Sequence, residues 1–449
     1  MFGRRPVFLV SIVGLFLSTI GAAVNKSYQS HLAARIIQGL TTGATESLLP
    51  LMINEISYVH ERSTLFAYYW ATQTAFSSAL NLASSYETAS LSWRWYYWIF
   101  VITIGVGLVM AFFFAFETRF TRPAMALDGR VIITDQFGVT RTLDGEEAAA
   151  YLASQEDSMH LNYSTTKKTY WQMLKPWSGV AKDPIMVVAK CWFNMLRSLS
   201  SPGIVYALLL SSIVLGCAIG ISLTYNTVLE EYYGWPAQNV GLINIGGVIG
   251  AFLGMAYASW PADQLAIWLA RRNGGIHKPE HRLLMLPFIG VIGFVSILLY
   301  GFTCSGNSTW WGPYIGWTLY EFCFVAVLII TTAFAAESWP RDPGPALVMV
   351  VGAKNIISFG LSYGLIPMLA RFGYPKSLGI LAGIYGAIFL LGIPTYYINP
   401  IVSGTPSVLD VLSANPLHSG EKRSLKEFPG RRLPFELRRE YGGLLQLVV

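Results

Sequence analysis

Residues 32–53 read LAARIIQGLTTGATESLLPLMI, a run as long and as apolar as a bilayer-spanning helix that nevertheless carries Arg35, Gln38 and Glu46. An ionisable side chain at membrane depth costs at least about 2.5–3.5 kcal/mol unless it faces protein or a wet cavity. Arg35 and Glu46 are close to three helical turns apart, so one face of the helix carries both. Gly39 and Gly43, four residues apart, leave a strip of backbone suited to a neighbouring helix. This span is a functional candidate, and the rest of the chain supplies its surroundings.

The surroundings are apolar too. Of the 449 residues, 53% are hydrophobic and only 12% charged, and the mean hydropathy is +0.46. Soluble domains carry about a quarter charged residues, so a soluble globular protein is excluded. The 14 Trp, 24 Tyr and 25 Phe suit interfacial belts. Ten apolar segments stand out, at 7–24, 32–53, 64–85, 96–116, 203–226, 238–260, 283–303, 313–335, 346–369 and 377–397. Each is near the ~20 residues that cross ~30 Å of hydrocarbon. The expected fold is an all-α polytopic membrane bundle of about ten spans, grouped four and six. The expected domains are a first group (1–117), a cytoplasmic central loop (118–202), a second group (203–399) and a cytoplasmic tail (400–449).

With Met1 in the cytoplasm and alternating spans, most of the 31 Lys and Arg fall on the cytoplasmic side. Both termini are therefore expected there. Asn25 and Asn307 open sequons in outer loops and are glycosylation candidates; a third, at Asn162, faces inward. In the central loop, 131–133 and 139–143 read as two strands around a turn, and 146–153 as a short helix. The tail, with basic pairs Arg431-Arg432 and Arg438-Arg439, reads as solvated chain, with contact to anionic lipid as the other reading. Cys191, Cys217, Cys304 and Cys323 are too dispersed for a disulfide framework or a metal site and read as small core hydrophobes.

Inside the membrane the charges balance, Arg35 and Lys354 against Glu46 and Glu321. A buried carboxylate beside a cation can exchange a proton for a cationic solute, coupling the two movements. Glu46 or Glu321 is the expected proton-coupling group, with Arg35 tuning the carboxylates and Lys354 and Asn355 lining the route. Static ion pairs that lock helices together explain the same residues. Trp70, Tyr225, Asn226 and Asn244 suit stacking on or hydrogen-bonding a solute, though ordinary helix packing explains them more simply. His277-Lys-Pro-Glu280-His281 matches a zinc-peptidase pattern, but Pro279 breaks the helix those ligands need, so no metal is expected. No phosphate-cradling Gly-rich loop is found, which disfavours ATP-driven transport, and no cofactor or nucleic-acid partner is expected. No catalytic constellation supports an enzyme.

Related loop sequences occur in both groups: Gly3-Arg4-Arg5-Pro6 in the first, Ala262-Asp263 and Arg271-Arg272-Asn273-Gly274-Gly275 in the second. This pattern suggests an internal repeat. The Gly3-Arg4-Arg5 start resembles the end of the loop motif of the major facilitator superfamily. Arg35-Ile-Ile-Gln38-Gly39 resembles its fourth-span motif, and Phe116-Glu117-Thr118-Arg119 its sixth-span signature, with Phe in place of Pro. Ser92-Trp93-Arg94-Trp95 and 269–275 are similar to fungal members of its drug:proton antiporter branch, nearest to permeases for polyamines and similar organic cations. The resemblance implies a proton-coupled transporter working by alternating access, with Arg35 tied to proton coupling. It also implies that Gly3, Arg4, Arg5, Asp263, Arg271 and Arg272 act in gating. Protons and a small organic cation or drug-like solute would be its partners, a monomer its form, and the plasma membrane, or else the vacuolar membrane, its location. The family has twelve spans, so the resemblance implies that the first two are missing here, and the span at 64–85 lacks the branch's Gly-Pro motif. A truncated, non-transporting sensor or regulatory protein is the alternative.

Overall fold

In the computed structural model, residues 3–58, 61–118, 125–127, 130–134, 140–144, 170, 174, 184–273, 278–305, 309–338 and 343–404 are described. The first group is four helices: α1 (Arg4–Val24), α2 (Tyr28–Ile56), α3 (Arg62–Ser90) and α4 (Trp93–Phe114). Ser27 and Ser92 cap α2 and α4, each side chain accepting from a backbone N–H of the first turn. Three short strands follow, β1 (Met125–Leu127), β2 (Arg130–Thr134) and β3 (Thr140–Asp144), in an antiparallel meander with Val131 opposite Leu143. The expected pair of strands is β2 and β3. The three-residue β1, Met-Ala-Leu, has no β-branched signal in the sequence. The expected helix at 146–153 lies outside the described residues, as do the sequon at Asn307 and the tail beyond residue 404.

A short helix α5 (Pro184–Ser198) leads into the second group. Its members are α6 (Pro202–Thr227), α7 (Ile243–Ala258), α8 (Trp260–Arg272), α9 (Leu286–Thr303), α10 (Trp311–Ser338), α11 (Pro343–Gly352), α12 (Lys354–Leu390) and α13 (Gly392–Gly404). Prolines sit in the first turns of α6, α8 and α9, where the missing N–H breaks no intrahelical bond.

Among the described residues, seven stretches are long and apolar enough to cross a membrane. The longest, Pro343–Asn399, has 57 residues. As one straight helix it would reach about 85 Å, nearly three hydrocarbon thicknesses. Gly373, at φ 76°, breaks α12 in two and folds the run back, between the segments expected at 346–369 and 377–397. Helices α2 and α3, 29 residues each, match the others in length, but their hydroxyl, amide and charged side chains lower their hydropathy.

The core is lopsided. One large apolar cluster joins α3 and Leu51 of α2 to α6, α7, α9, α10, α11 and α12, whereas α1 and α4 pack with Ala34 of α2 in a small one of Ala22, Ala23, Ala34 and Tyr97. Within the most apolar window of α10, 89% of residues are buried, against 11% for α4, so α10 is the central post and α4 is peripheral. Glycines set the spacing around that post. A Cβ on Gly250 would stand 2.5 Å from the Thr318 carbonyl oxygen and 2.8 Å from Glu321 Cβ, so α7 and α10 pack backbone to backbone there. By contrast, a Cβ on Gly360 would meet nothing within 4 Å. Gly250→Ala is therefore expected to destabilise the purified protein by about 1–3 kcal/mol through overpacking. Gly360→Ala should leave stability unchanged; thermal unfolding of the two variants in one detergent checks the contrast.

Candidate functional site

Two polar clusters join the first group of helices to the second. The deeper one forms where α2 passes the one-residue break between α11 and α12. Gly352 allows that approach, since a Cβ there would lie 3.0 Å from Ser47 Oγ. Lys354, 1% exposed, donates to Glu46 Oε1 and also to the Val351 carbonyl, at 3.0 Å. Asn355 Nδ2 donates to the other oxygen of Glu46 at 3.0 Å. The Lys354 ammonium also lies 4.9 Å from the centre of the Trp70 ring, a cation–π contact. Trp70 is itself fixed by donating Nε1–H to Thr332 Oγ1 of α10 at 3.1 Å. One cation is thus held by a carboxylate, a carbonyl and an indole face.

Glu46 has a second exposure. It lines a cavity of about 590 Å³ together with Thr42, Thr45, Tyr69, Thr72 and Gln73. The lining, from α1, α2 and α3, is mostly apolar surface, and Leu15, Leu49, Ile53 and Leu65 share it with the residues that carry the carboxylate, hydroxyl and amide groups.

The second cluster sits at the ends of helices. Asp263, near the start of α8, accepts from the backbone N–H groups of Ser63 (3.2 Å) and Thr64 (3.0 Å) and from Thr64 Oγ1 (2.8 Å). A carboxylate on the first turn of α3 satisfies N–H groups left over by the helix and meets its positive end. Arg282 Nη1 donates to Asp263 at 2.9 Å and also to Ser63 Oγ. On its other side Arg282 makes a two-pronged pair with Glu337 at the end of α10, at 2.7 and 2.6 Å. Arg62 of α3 approaches Glu337 at 3.7 Å. Asp263, Arg282 and Glu337 are all buried, so their charges depend on one another.

The first group repeats the scheme. Arg4 pairs with Glu55 at the end of α2 (3.0 and 2.8 Å), as Arg282 does with Glu337 at the end of α10. Glu117 accepts from the backbone N–H groups of Arg4 (2.9 Å) and Arg5 (3.3 Å), and Thr118 donates to Glu55 at 2.7 Å. Arg5, fully buried, donates to the Phe112 carbonyl at 2.7 Å. Gly3 opens the helix with φ 96°.

The sequence-expected residues thus sort into several separate places. Glu46, Lys354 and Asn355 meet in one cluster. Arg35 lies elsewhere: it donates to Tyr97 Oη of α4 at 2.6 Å, and Gln38 donates to Thr19 at 3.1 Å, so Arg35 does not touch Glu46. Although the two share a helix face, three turns separate them by about 16 Å. Glu321 is buried on α10, and its Oε2 has no hydrogen-bond partner among the described residues. Asp263 engages Arg282, while Arg271 and Arg272 stay exposed, the Arg272 guanidinium lying 4.0 Å from the centre of the Trp268 ring on its own helix. Asn25 contacts the His31 ring at 2.8 Å. In the segment resembling a zinc motif, Glu280 accepts from Asn399 Nδ2 at 2.6 Å, a structural tie.

Sequence reading missed Arg62, Arg282, Glu55 and Glu337. A usable signal existed: Ile-Asn-Glu at 53–55 and Ala-Glu-Ser at 336–338 place a Glu at the end of a span in each group.

The family model described as Major Facilitator Superfamily matches residues 1–353. The chain belongs to the major facilitator superfamily. An uncharacterised transporter of this type from Schizosaccharomyces pombe is 23% identical over 417 residues, 86% of this chain and 71% of its own length. The transporter atr4 of Stereocaulon alpinum is 21% identical over 392 residues, 84% of this chain and 64% of its own length. Among solved structures, the human organic anion transporter MFSD10 superposes with a TM-score of 0.53 at 18% identity, over 87% of this chain and 77% of that one. The proton:xylose symporter XylE gives 0.51 at 15%, over 88% and 80%. These structural likenesses show the major facilitator fold alone. Members of the superfamily are membrane transporters and not enzymes, in line with the reading of the sequence.

In this superfamily member, Arg282→Ala would leave two buried carboxylates without their shared cation. The expected loss is about 3–5 kcal/mol, whereas Arg271→Ala at an exposed site should stay within about 0.5 kcal/mol. Comparing the melting of the two purified variants tests the difference.

Proposed function

We propose that this protein is a secondary active transporter of the drug:proton antiporter type, moving a small organic cation or drug-like solute in exchange for protons. The observation that carries the reading is the Glu46–Lys354–Asn355 cluster, which ties the first group to the second beside a cavity lined by the same carboxylate. A midplane site between two groups of helices is what alternating access requires. The two groups, 1–117 and 203–399, rock about that site. The Asp263–Arg282–Glu337 network on the first turn of α3 closes one end, and rocking opens it. That network supports a gating role for Asp263, with Arg4 and Arg5 holding the matching corner of the first group. Glu321, buried without a partner for Oε2 among the described residues, is the second candidate for the proton route.

The positive-inside pattern supports cytoplasmic termini and outward-facing glycosylation candidates at Asn25 and Asn307, and the resemblance to fungal permeases supports a plasma-membrane or vacuolar setting. A monomer suffices, since both clusters form within one chain. The competing reading, a non-transporting sensor or regulatory protein, treats both clusters as fixed locks.

Reconstitution into proteoliposomes separates the two. With an imposed pH gradient, accumulation of radiolabelled tetraethylammonium is expected, and Glu46→Gln should reduce it at least about tenfold, the loss of one charge-assisted contact being about 1.5–3 kcal/mol. An absence of gradient-driven flux for a panel of organic cations would favour the lock.

A further inference from the structure

Lys354 already occupies the place a cationic solute would seek. Its ammonium has the Glu46 carboxylate, the Val351 carbonyl and the Trp70 face as neighbours, and it is almost completely withdrawn from solvent. Across Glu46 lies the cavity, the space from which a solute would approach. Among the described residues, the titratable groups facing this centre are Glu46 from α2 and Tyr69 from α3; Tyr69 lines the same cavity and its ring packs on Trp70 at 4.8 Å. The facing groups from α10, α11 and α12 are neutral: Thr332, the Val351 carbonyl and Asn355.

One carboxylate cannot balance two cations when one of them, Lys354, is buried. We infer that Lys354 is a tethered stand-in for the substrate's cation, and that a solute cation binding to Glu46 releases the proton of Lys354. In that step the Nζ–H bond breaks and its electron pair stays on nitrogen. The proton leaves to water through the cavity, and the solute's charge replaces that of the lysine on Glu46. When the solute departs, Lys354 takes up a proton and returns. Exchange is one cation for one proton, with the lysine rather than a carboxylate as the carrier. The indole face suits an ammonium without N–H donors, so the class extends to quaternary ammonium compounds. This deepens the proposed function and rests on it.

Butyltrimethylammonium is a suitable probe because it has no proton to lose. Titrating it calorimetrically into the purified full chain, in two buffers of different protonation enthalpy, counts protons released. The wild type is expected to release about one proton per cation bound, by charge balance. Lys354→Met should bind the probe at least as tightly and release none. Lys354→Arg, which cannot give up its proton, should bind it at least about tenfold more weakly, as should Glu46→Gln. Binding without release by the wild type, or release that survives Lys354→Met, overturns the lysine mechanism alone. No binding by the wild type overturns the organic-cation reading with it.

A separate observation concerns α5. Its more sheltered positions include Val187, Asn194, Met195 and Ser198, while Ile185 (84%), Met186 (70%), Trp192 (62%) and Leu196 (62%) face outward. Large apolar side chains thus face outward along this helix, which is not the order expected of a helix in water. At 15 residues it reaches about 22 Å, too short to span. It joins, within four residues, the membrane-spanning α6, and exposed Lys190 flanks the apolar face. The geometry points to a helix lying in the headgroup–acyl boundary of the bilayer, its charge set toward anionic lipid. Nitroxides at Leu196→Cys and Trp192→Cys, in a Cys191→Ser background in nanodiscs, test it by collision. Relaxation by oxygen exceeding that by a water-soluble nickel chelate is expected; the reverse at both sites would place the face in water.

Discussion

A buried ammonium and the cavity-facing carboxylate that holds it set the terms for the rest of this bundle. The buried Lys354 ammonium needs the Glu46 carboxylate, and each comes from a different group of helices. The pair therefore does what apolar packing between helices in lipid does poorly: it makes one arrangement of the two groups much better than its neighbours. The supporting features follow from it. Gly352 thins the backbone so that α2 can come close, Asn355 occupies the second carboxylate oxygen, and Trp70 is clamped to α10.

At the helix ends a second constraint operates. Asp263, Arg282 and Glu337 form a chain in which every charge has a partner and Asp263 also takes up first-turn N–H groups of α3. The first group contains the same logic with Arg4, Glu55 and Glu117. Two copies of one solution, separated by roughly 280 residues of sequence, are the structural trace of an internal repeat.

Much of this was legible in the amino-acid sequence. Hydropathy located the helices because bilayer thickness fixes their length, and Gly373 turns where the polar gap between two apolar segments had placed a loop. Glu46, Lys354 and Asn355 were identifiable as costly residues in costly places. Their partnership was not, because 308 residues separate Glu46 from Lys354 and no periodicity links them. Arg35 illustrates the opposite failure: its helical phase with Glu46 is real, but phase says nothing about distance along the axis, and Tyr97 of α4 claims it. The exchange of Arg271 and Arg272 for Arg282 has a similar cause. Adjacent basic residues dominate a sequence motif, yet it is Arg282, in the short helical turn Pro279–Met285, that reaches the end of α10.

The turn at Gly373 bears on how the chain is made. Its two arms have no loop between them, only a residue whose left-handed backbone lets the helix reverse. Spans separated by tens of residues can leave the ribosome and be handed to lipid one after another. These two arms have no such stretch of chain to separate them. Inserted as one unit, the two arms carry Arg371 and Lys376, exposed on either side of the bend, as one parcel of charge.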